Sequence, residues 1–381
     1  MNKTKTTYRW ERSPQEIKYL KGQTVIFSDS LDHWQNAVCR LPNLTNEEAV
    51  RWLEEANAWA ENNHQNILSE LDPSVQLECL HGAWKTLYPQ SVITQAGVSL
   101  KKAQPGACGH QPADLWANAI GEDPNYAVAH CPICQHGWLI DKANPGKELH
   151  DVVEYEEEYF EGSKERLGYG SYIKQQAWRQ EKADRLLRQF QASLDYRGLK
   201  LPKKPSLLDV GSGYGFFRKS ADNNDWTHEG IEVSRHAAAI GEELFGYKTF
   251  VGTLEDFAAQ SSKKFDLITL FDVIEHVEDP SATLQLIKKS LNKGGYAFIR
   301  TPNSFSIERE VFGNLFYSLK KEHYNYFSAQ SLSLLADRAG LEPIFVTTTA
   351  HYFQGVIGHH IAYYEATLKG SDILLIGRRH D

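Results

Sequence analysis

Three groups of residues in this 381-residue chain have the types and spacing that chemistry needs. The first is Asp209-Val210-Gly211-Ser212-Gly213-Tyr214-Gly215, followed by an acid, Glu232, in the next apolar segment. Glycines let the backbone close on a ligand with no Cβ in the way. A carboxylate about twenty residues after such a turn can accept both hydroxyls of a ribose. The glycines run G-x-G-x-G, and Phe216 stands where the third glycine of a dinucleotide fingerprint would fall, which speaks against a nicotinamide dehydrogenase. The second group is Cys131-Pro132-Ile133-Cys134 with Cys108-Gly109-His110 upstream. Two thiolates from one turn and two ligands from another make a tetrahedral zinc site with no open position, hence a structural one. The third is Glu322-His323, with Tyr326-Phe327-Ser328 behind it, and Asp272-Val273-Ile274-Glu275-His276 earlier in the chain. A histidine titrating near neutrality suits a general base.

The elements that must hold these residues follow from pattern. The apolar run 207–210 reads as a buried parallel strand, and 216–221 opens a helix directly after the glycines. Residues 229–233 read as a second strand ending in Glu232, and 265–271 as a third, with the Asp272–Val277 run at its carboxyl end. Open α/β sheets place ligands at that end of their strands. A helix over 281–291 stops at Lys293-Gly294-Gly295 and feeds a strand over 296–300. Ser328 is the expected N-cap of a helix over 329–339, and strands over 342–349 and 372–378 close the chain.

Residues 155–381 resemble the class I S-adenosylmethionine-dependent methyltransferases, with four motifs in the family's order. The Asp209–Gly215 string is similar to the family's motif I. Thr253-Leu254-Glu255-Asp256-Phe257 matches the loop that borders the adenine, and Phe271–Val277 matches the Asp-x-x-Glu-His run after the fourth strand. The resemblance implies an α/β fold with a Rossmann-like sheet of seven strands, mostly parallel with an antiparallel last strand. It also implies S-adenosylmethionine held by Asp209, Gly211, Gly213, Gly215, Glu232, Val233, Leu254, Glu255, Phe271 and Asp272. In the family the stretch before the first helix often folds over the cofactor; here that is 154–160 and Gly168-Tyr169-Gly170-Ser171-Tyr172, leading into a helix over 173–193.

Residues 321–328 resemble the His-Glu-His-x-x-Tyr-Phe-Ser run of sugar C-methyltransferases, with Lys321 in place of the first His. This implies His323 as the base, Glu322 to orient it, and Tyr326 and His276 as further catalytic candidates. An ordinary histidine base would give an ascending limb of activity between about pH 5 and 8. Residues 116–137 resemble the small zinc-binding module that precedes many methyltransferases of sugar and natural-product pathways. That module's first knuckle is usually also C-x-x-C, but Pro105 stands three before Cys108. His110 is the replacement ligand beside Cys108, Cys131 and Cys134, with His136, His130 and Cys79 as rivals. A redox C-x-x-C lacks the thioredoxin-like context.

Three zones result: 1–100, aromatic and helical in pattern, with a helix from about Leu44 to Asn62 presenting Val50, Leu53, Ala56 and Ala60; 101–150, the cysteine module with its connector at 141–149; and 151–381, the methyltransferase domain. A formal net charge of −8 with no basic run argues against a nucleic-acid surface. Five cysteines, without an apolar leader, do not suggest a disulfide framework, and no apolar stretch is long enough to span a membrane; a cytoplasmic protein is expected. The implied activity is methyl transfer to a small-molecule intermediate, a sugar or natural product. The alternatives are a protein or RNA methyltransferase with the cysteine module as recognition head, and a non-catalytic S-adenosylmethionine-binding scaffold or sensor.

Overall fold

Within the zone 1–100, expected to be helical in pattern, residues 8–12, 16–21 and 24–30 form strands. In the computed structural model β1 (Tyr8–Arg12), β2 (Glu16–Lys21) and β3 (Thr24–Ser30) make an antiparallel meander. Runs such as Tyr8-Arg-Trp-Glu-Arg have the period of two that a strand requires and a helix does not. The expected helix follows as α1 (Asn46–His64), with Ala56 and Ala60 fully buried. The structure describes residues 8–12, 16–21, 24–30, 46–64, most of 106–143, Phe160, 172–313, 316–349 and 367–380, with scattered positions between 75 and 87. Cys39, the Val50 and Leu53 side chains, most of the connector, and the 154–171 stretch apart from Phe160 lie outside the described residues.

The cysteine segment is a small antiparallel sheet: β4 (Asp114–Ala117), β5 (Tyr126–His130) and β6 (Gly137–Asp141), with Cys131–Cys134 forming the turn between the last two. After it come α2 (Gln176–Tyr196), β7 (Ser206–Val210), α3 (Phe216–Asp222), β8 (Thr227–Glu232), α4 (Arg235–Phe245), β9 (Phe250–Val251), α5 (Leu254–Gln260) and β10 (Phe265–Phe271). The 3-10 turn Ile274–His276 leads to α6 (Pro280–Ser290), β11 (Leu291–Pro302), α7 (Ile307–Phe312), β12 (Asn325–Tyr326), α8 (Ala329–Arg338), β13 (Leu341–Thr349) and β14 (Asp372–Arg379).

The main sheet has the order β13-β14-β11-β10-β7-β8-β9. All neighbours pair in parallel except β14, which is antiparallel to both β11 and β13. This is the seven-stranded, Rossmann-like α/β sheet with an antiparallel last strand in the chain that the sequence predicts. Successive strand residues face opposite ways. Leu207 and Leu267 therefore pack with α2 and α3 residues such as Phe190 and Phe217, while Leu208 and Ile268 pack with Leu284, Ile287 and Leu332 of α6 and α8. Both faces are covered, which is why these strands read as unbroken apolar runs. Truncating Leu208 to Ala would cost about 2–5 kcal/mol, as for other fully buried leucines.

Candidate functional site

β7 ends at Val210, and the chain turns through the glycines directly above its carboxyl end. Gly211 has φ +70° and a Cβ there would lie 2.4 Å from Val273 Cγ2, so neither the backbone nor the space admits a larger residue. Gly215, at φ +89°, starts α3. The loop is tied to β8: the amides of Gly211 and Ser212 both donate to Ile231 O at 2.9 Å. Glu232 completes the turn. Its Oε2 accepts from Gly213 N at 2.7 Å and its Oε1 from Ser234 N at 2.9 Å. Burial nonetheless pushes its carboxyl above the ordinary glutamate range, opposed by these amide donors. Asp209, at the end of β7, accepts from Thr269 Oγ1 at 2.6 Å, and burial pushes its carboxyl up to about 6.

These residues line one cavity of about 670 Å³ at the carboxyl ends of β7, β8 and β10. Asp209, Gly211, Gly213, Glu232, Val233, Leu254, Glu255, Phe271 and Asp272 all reach its wall; Gly215 does not, being spent on the start of α3. Leu254 sits at the first turn of α5, where Thr253 and Asp256 form a reciprocal capping box that fixes the loop. Asp272 has φ +58° and its carboxylate is gripped by Arg300, with Nε to Oδ1 at 3.0 Å, so this acid serves the wall through an ion pair.

The opposite wall was only partly legible. Phe160, Tyr172 and Tyr214 cluster with ring centroids 5.2 to 5.4 Å apart, and the Arg179 guanidinium stacks over Tyr172. All four line the cavity, as does Arg300. The aromatic run before α2 signalled Tyr172. Nothing in the sequence marked Arg179 or Arg300, which are ordinary charged residues on a helix and a strand.

The histidine candidates occupy two depths. His276 reaches the cavity wall, while Glu322, His323 and Tyr326 do not. His323 lies behind it, 2% exposed, with the two rings edge to face and their centroids 4.7 Å apart. His323 Nδ1 donates to Ser318 O at 2.8 Å, and His276 Nδ1 donates to the backbone oxygen of Glu322 at 2.8 Å. The Glu322 carboxylate lies 3.6 Å from Lys320 Nζ. The pair expected between Glu322 and His323 is thus replaced by one between the Glu322 backbone and His276. Tyr326 donates to Lys320 O at 2.8 Å, and burial pushes its hydroxyl pKa upward, so it is held as a donor. Burial pushes His276 down to about 4 and His323 well below the ordinary histidine value, His323 further by its nearness to His276. Both are neutral throughout the pH 5 to 8 window in which an ordinary histidine would titrate.

The cysteine turn stands next to this loop. Sγ atoms of Cys108, Cys131 and Cys134 lie within 4.8 Å of one another, all as free thiols, and His110 Nδ1 is 3.1 Å from Cys108 Sγ. For Cys108, burial opposes ionisation, but hydrogen bonds from the His110 backbone and the neighbouring thiols outweigh it and hold the thiol at about 6; burial pushes Cys134 up to about 12. Three thiols and an imidazole are a donor set that zinc accepts. The rivals are placed otherwise. His136 is buried, accepts from Ala107 N at 3.0 Å and stacks on Phe327; His130 packs on Phe305; Cys79 is not in the cluster.

Residues 176–345 match the family model described as a methyltransferase domain. That stretch is a methyltransferase domain. S-adenosylmethionine is the cofactor of this family, and the matched stretch spans β7 through most of β13. The curated relatives include the ubiquinone biosynthesis O-methyltransferase of Vibrio vulnificus, 32% identical over 106 residues, covering 26% of this chain and 43% of that protein. The protein of the same name from Xanthomonas axonopodis pv. citri is 32% identical over 127 residues, covering 30% and 52%. The chain spans about half the length of the curated relatives it matches. Among solved structures, an S-adenosylmethionine-dependent methyltransferase from Archaeoglobus fulgidus aligns with TM-score 0.42 at 15% identity, over 55% of this chain and 99% of that one. Among the described residues no helix is long and apolar enough to cross a membrane.

Proposed function

We propose that the protein transfers the methyl group of S-adenosylmethionine to a small-molecule biosynthetic intermediate, a sugar or natural product. Glu232 carries this reading: a buried carboxylate, held by two backbone amides at the rim of the glycine loop, faces a cavity large enough for the cofactor and part of an acceptor. Glu232 takes the ribose hydroxyls, Gly211 and Gly213 let the amino-acid portion approach the loop, and Val233 and Leu254 flank the adenine beside Glu255. Phe271 and Asp272 close the far side. The curated relatives named for ubiquinone biosynthesis support a small molecule as acceptor.

The sulfonium methyl is already activated, so transfer is an in-line displacement whose rate rests on positioning and on removing the acceptor's proton. His276 is the candidate for the acceptor's proton, because it is neutral and on the wall; its Nε2 is covered here, so the ring has to turn to present that lone pair. His323, Glu322 and Tyr326 hold that ring and its loop in place. Residues 151–381 form the catalytic domain and 101–150 a module with a structural zinc on Cys108, His110, Cys131 and Cys134; the role of 1–100 stays unassigned. A cytoplasmic location agrees with free thiols in every described cysteine. The test is chromatographic detection of adenosylhomocysteine on incubation with a panel of hydroxylated metabolites, next to calorimetry with S-adenosylmethionine. Turnover with one acceptor supports the reading. Cofactor binding with no turnover on the panel would turn it toward a sensor, and failure to bind the cofactor would overturn it.

A further inference from the structure

Behind the cavity wall three side chains turn acceptor atoms toward one another. A carboxylate oxygen of Glu275 and one ring nitrogen each of His276 and His323 lie within 4.8 Å of one another. They come from two segments, the Ile274–His276 turn and the loop before β12. Each is pinned at its far end. Glu275 Oε2 accepts from Thr301 Oγ1 at 2.9 Å, and the Nδ1 atoms of His276 and His323 donate to the backbone oxygens of Glu322 and Ser318. That places the ring protons on Nδ1 and leaves both Nε2 atoms as lone-pair nitrogens.

Glu275 Oε1 and His323 Nε2 have no hydrogen-bond partner, in side chains only 1% and 2% exposed. A buried acceptor left unsatisfied costs about 1–3 kcal/mol.

We propose that Glu275, His276 and His323 form a binding site, behind the cavity wall, for a divalent transition-metal cation of the zinc type. Two neutral imidazoles and a carboxylate select such ions over magnesium or calcium, which take oxygen ligands. Bonds of about 2.0–2.2 Å put the ligand atoms of a tetrahedral zinc about 3.3–3.5 Å apart, so the three side chains close in slightly on a bound ion. Three protein ligands distinguish the site from the closed set in the cysteine module. Of the three ligands only His276 reaches the cavity wall, so a bound cation would sit behind that wall. The site goes beyond methyl transfer itself: a cation there would fix the His276 ring and the histidine loop from behind the wall.

The test is a cobalt(II) titration of chelator-stripped full-length protein, read by absorption and by metal stoichiometry. Thiolate ligands give an intense near-ultraviolet charge-transfer band, and a His-His-carboxylate site gives visible d–d bands without it, so the two clusters are read separately. The otherwise unchanged chain should take up about two equivalents of cobalt, one with the charge-transfer band and one without it. His323→Gln and Glu275→Gln should each weaken the cobalt binding that lacks the band at least tenfold, while adenosylhomocysteine binding by calorimetry, which none of these residues serves, reports that the domain is folded. Each substitution must remove one equivalent and spare the charge-transfer band. Cobalt binding confined to the thiolate signal, or unaltered by both substitutions in folded protein, overturns the site while leaving the methyltransferase reading intact.

Discussion

The two sides of the cavity are built by different means. The cofactor side is local: the glycines, Glu232, Val233 and the Thr253 cap lie within about fifty residues, and backbone amides do most of the holding. The acceptor side is assembled from segments far apart in sequence. β12, two residues long, pairs antiparallel with β6 and so adds a fourth strand to the cysteine sheet. Lys321 reaches Asp123 at 2.5 Å, Leu139 N donates to Tyr324 O at 3.0 Å, and Arg338 Nη1 donates to Ala107 O at 2.8 Å. Asn325 Nδ2 then donates to Val277 O at 2.6 Å, tying the same strand to the turn that carries His276. The cysteine module is therefore a brace for the histidine loop, and Lys321, which departs from the sugar C-methyltransferase run, is one of its ties.

This contrast predicts that damage on one side spares the other. The largest effect is expected from His276→Ala, which should lower kcat by about 10²–10⁴-fold, the scale for losing a positioned proton acceptor or acceptor contact. S-adenosylmethionine affinity by calorimetry should change little; a variant with near-normal turnover would remove His276 from the chemistry. Next comes Cys131→Ser. Loosening the cysteine turn should shift β6, β12 and the histidine loop, and misplacement by about 1 Å can cost 10²-fold in rate. Cofactor affinity should again hold. If affinity and turnover fell together, the two sides would not be separable in the way their construction implies.

The same contrast explains what could be read in advance. The cofactor side was legible because its requirements are local: a glycine at positive φ, an acid at fixed spacing, and a capping box each leave a mark within a few residues. The centre of the sheet was legible because strands buried on both faces, such as β7 and β10, are largely apolar. The depth of His323 was not. Whether a histidine lies on a wall or behind it depends on β6 pairing with β12 and on the Ser318 carbonyl, neither of which leaves a pattern near residue 323. The first three strands were missed for a different reason. Their alternation is present, but it is rich in charged and aromatic residues, which leaves little of the apolar face that marks a strand.

On the cofactor side, Glu232→Ala should weaken S-adenosylmethionine binding by about 1.5–3 kcal/mol, because ribose hydroxyls lose a charged acceptor and the Gly213 amide loses its partner. Turnover at saturating cofactor should fall far less than affinity. Calorimetry and saturation kinetics on one preparation decide this, and an unchanged Kd would take Glu232 out of the ribose site.

The smallest effect tests whether the cofactor side bears a stability cost for its charge. Burial pushes the Asp209 carboxyl from its ordinary 3.8 to about 6, against the Thr269 hydrogen bond and the nearby Arg218 guanidinium, which both pull it down. A raised folded-state pKa means that the ligand-free protein binds the proton more tightly than the unfolded chain does. The associated stability is fully present below about pH 4 and is lost as pH rises through about 6. Above that, the ionised carboxylate costs on the order of 1–3 kcal/mol. Asp209→Asn keeps an oxygen to accept from Thr269 Oγ1 and removes the charge. The variant should therefore melt higher than the parent at pH 7 without ligand, and its Tm should depend less on pH between 4 and 6. Near pH 4 the two proteins should converge. Its affinity for S-adenosylmethionine, a cationic ligand, should meanwhile fall, since the wall loses a negative charge. A variant that melts lower than the parent at pH 7 would show that Asp209 stabilises the fold as an ion. The cost of ionising this strand-end acid would then be offset within the empty protein, and the cofactor side would bear no strain for its ligand.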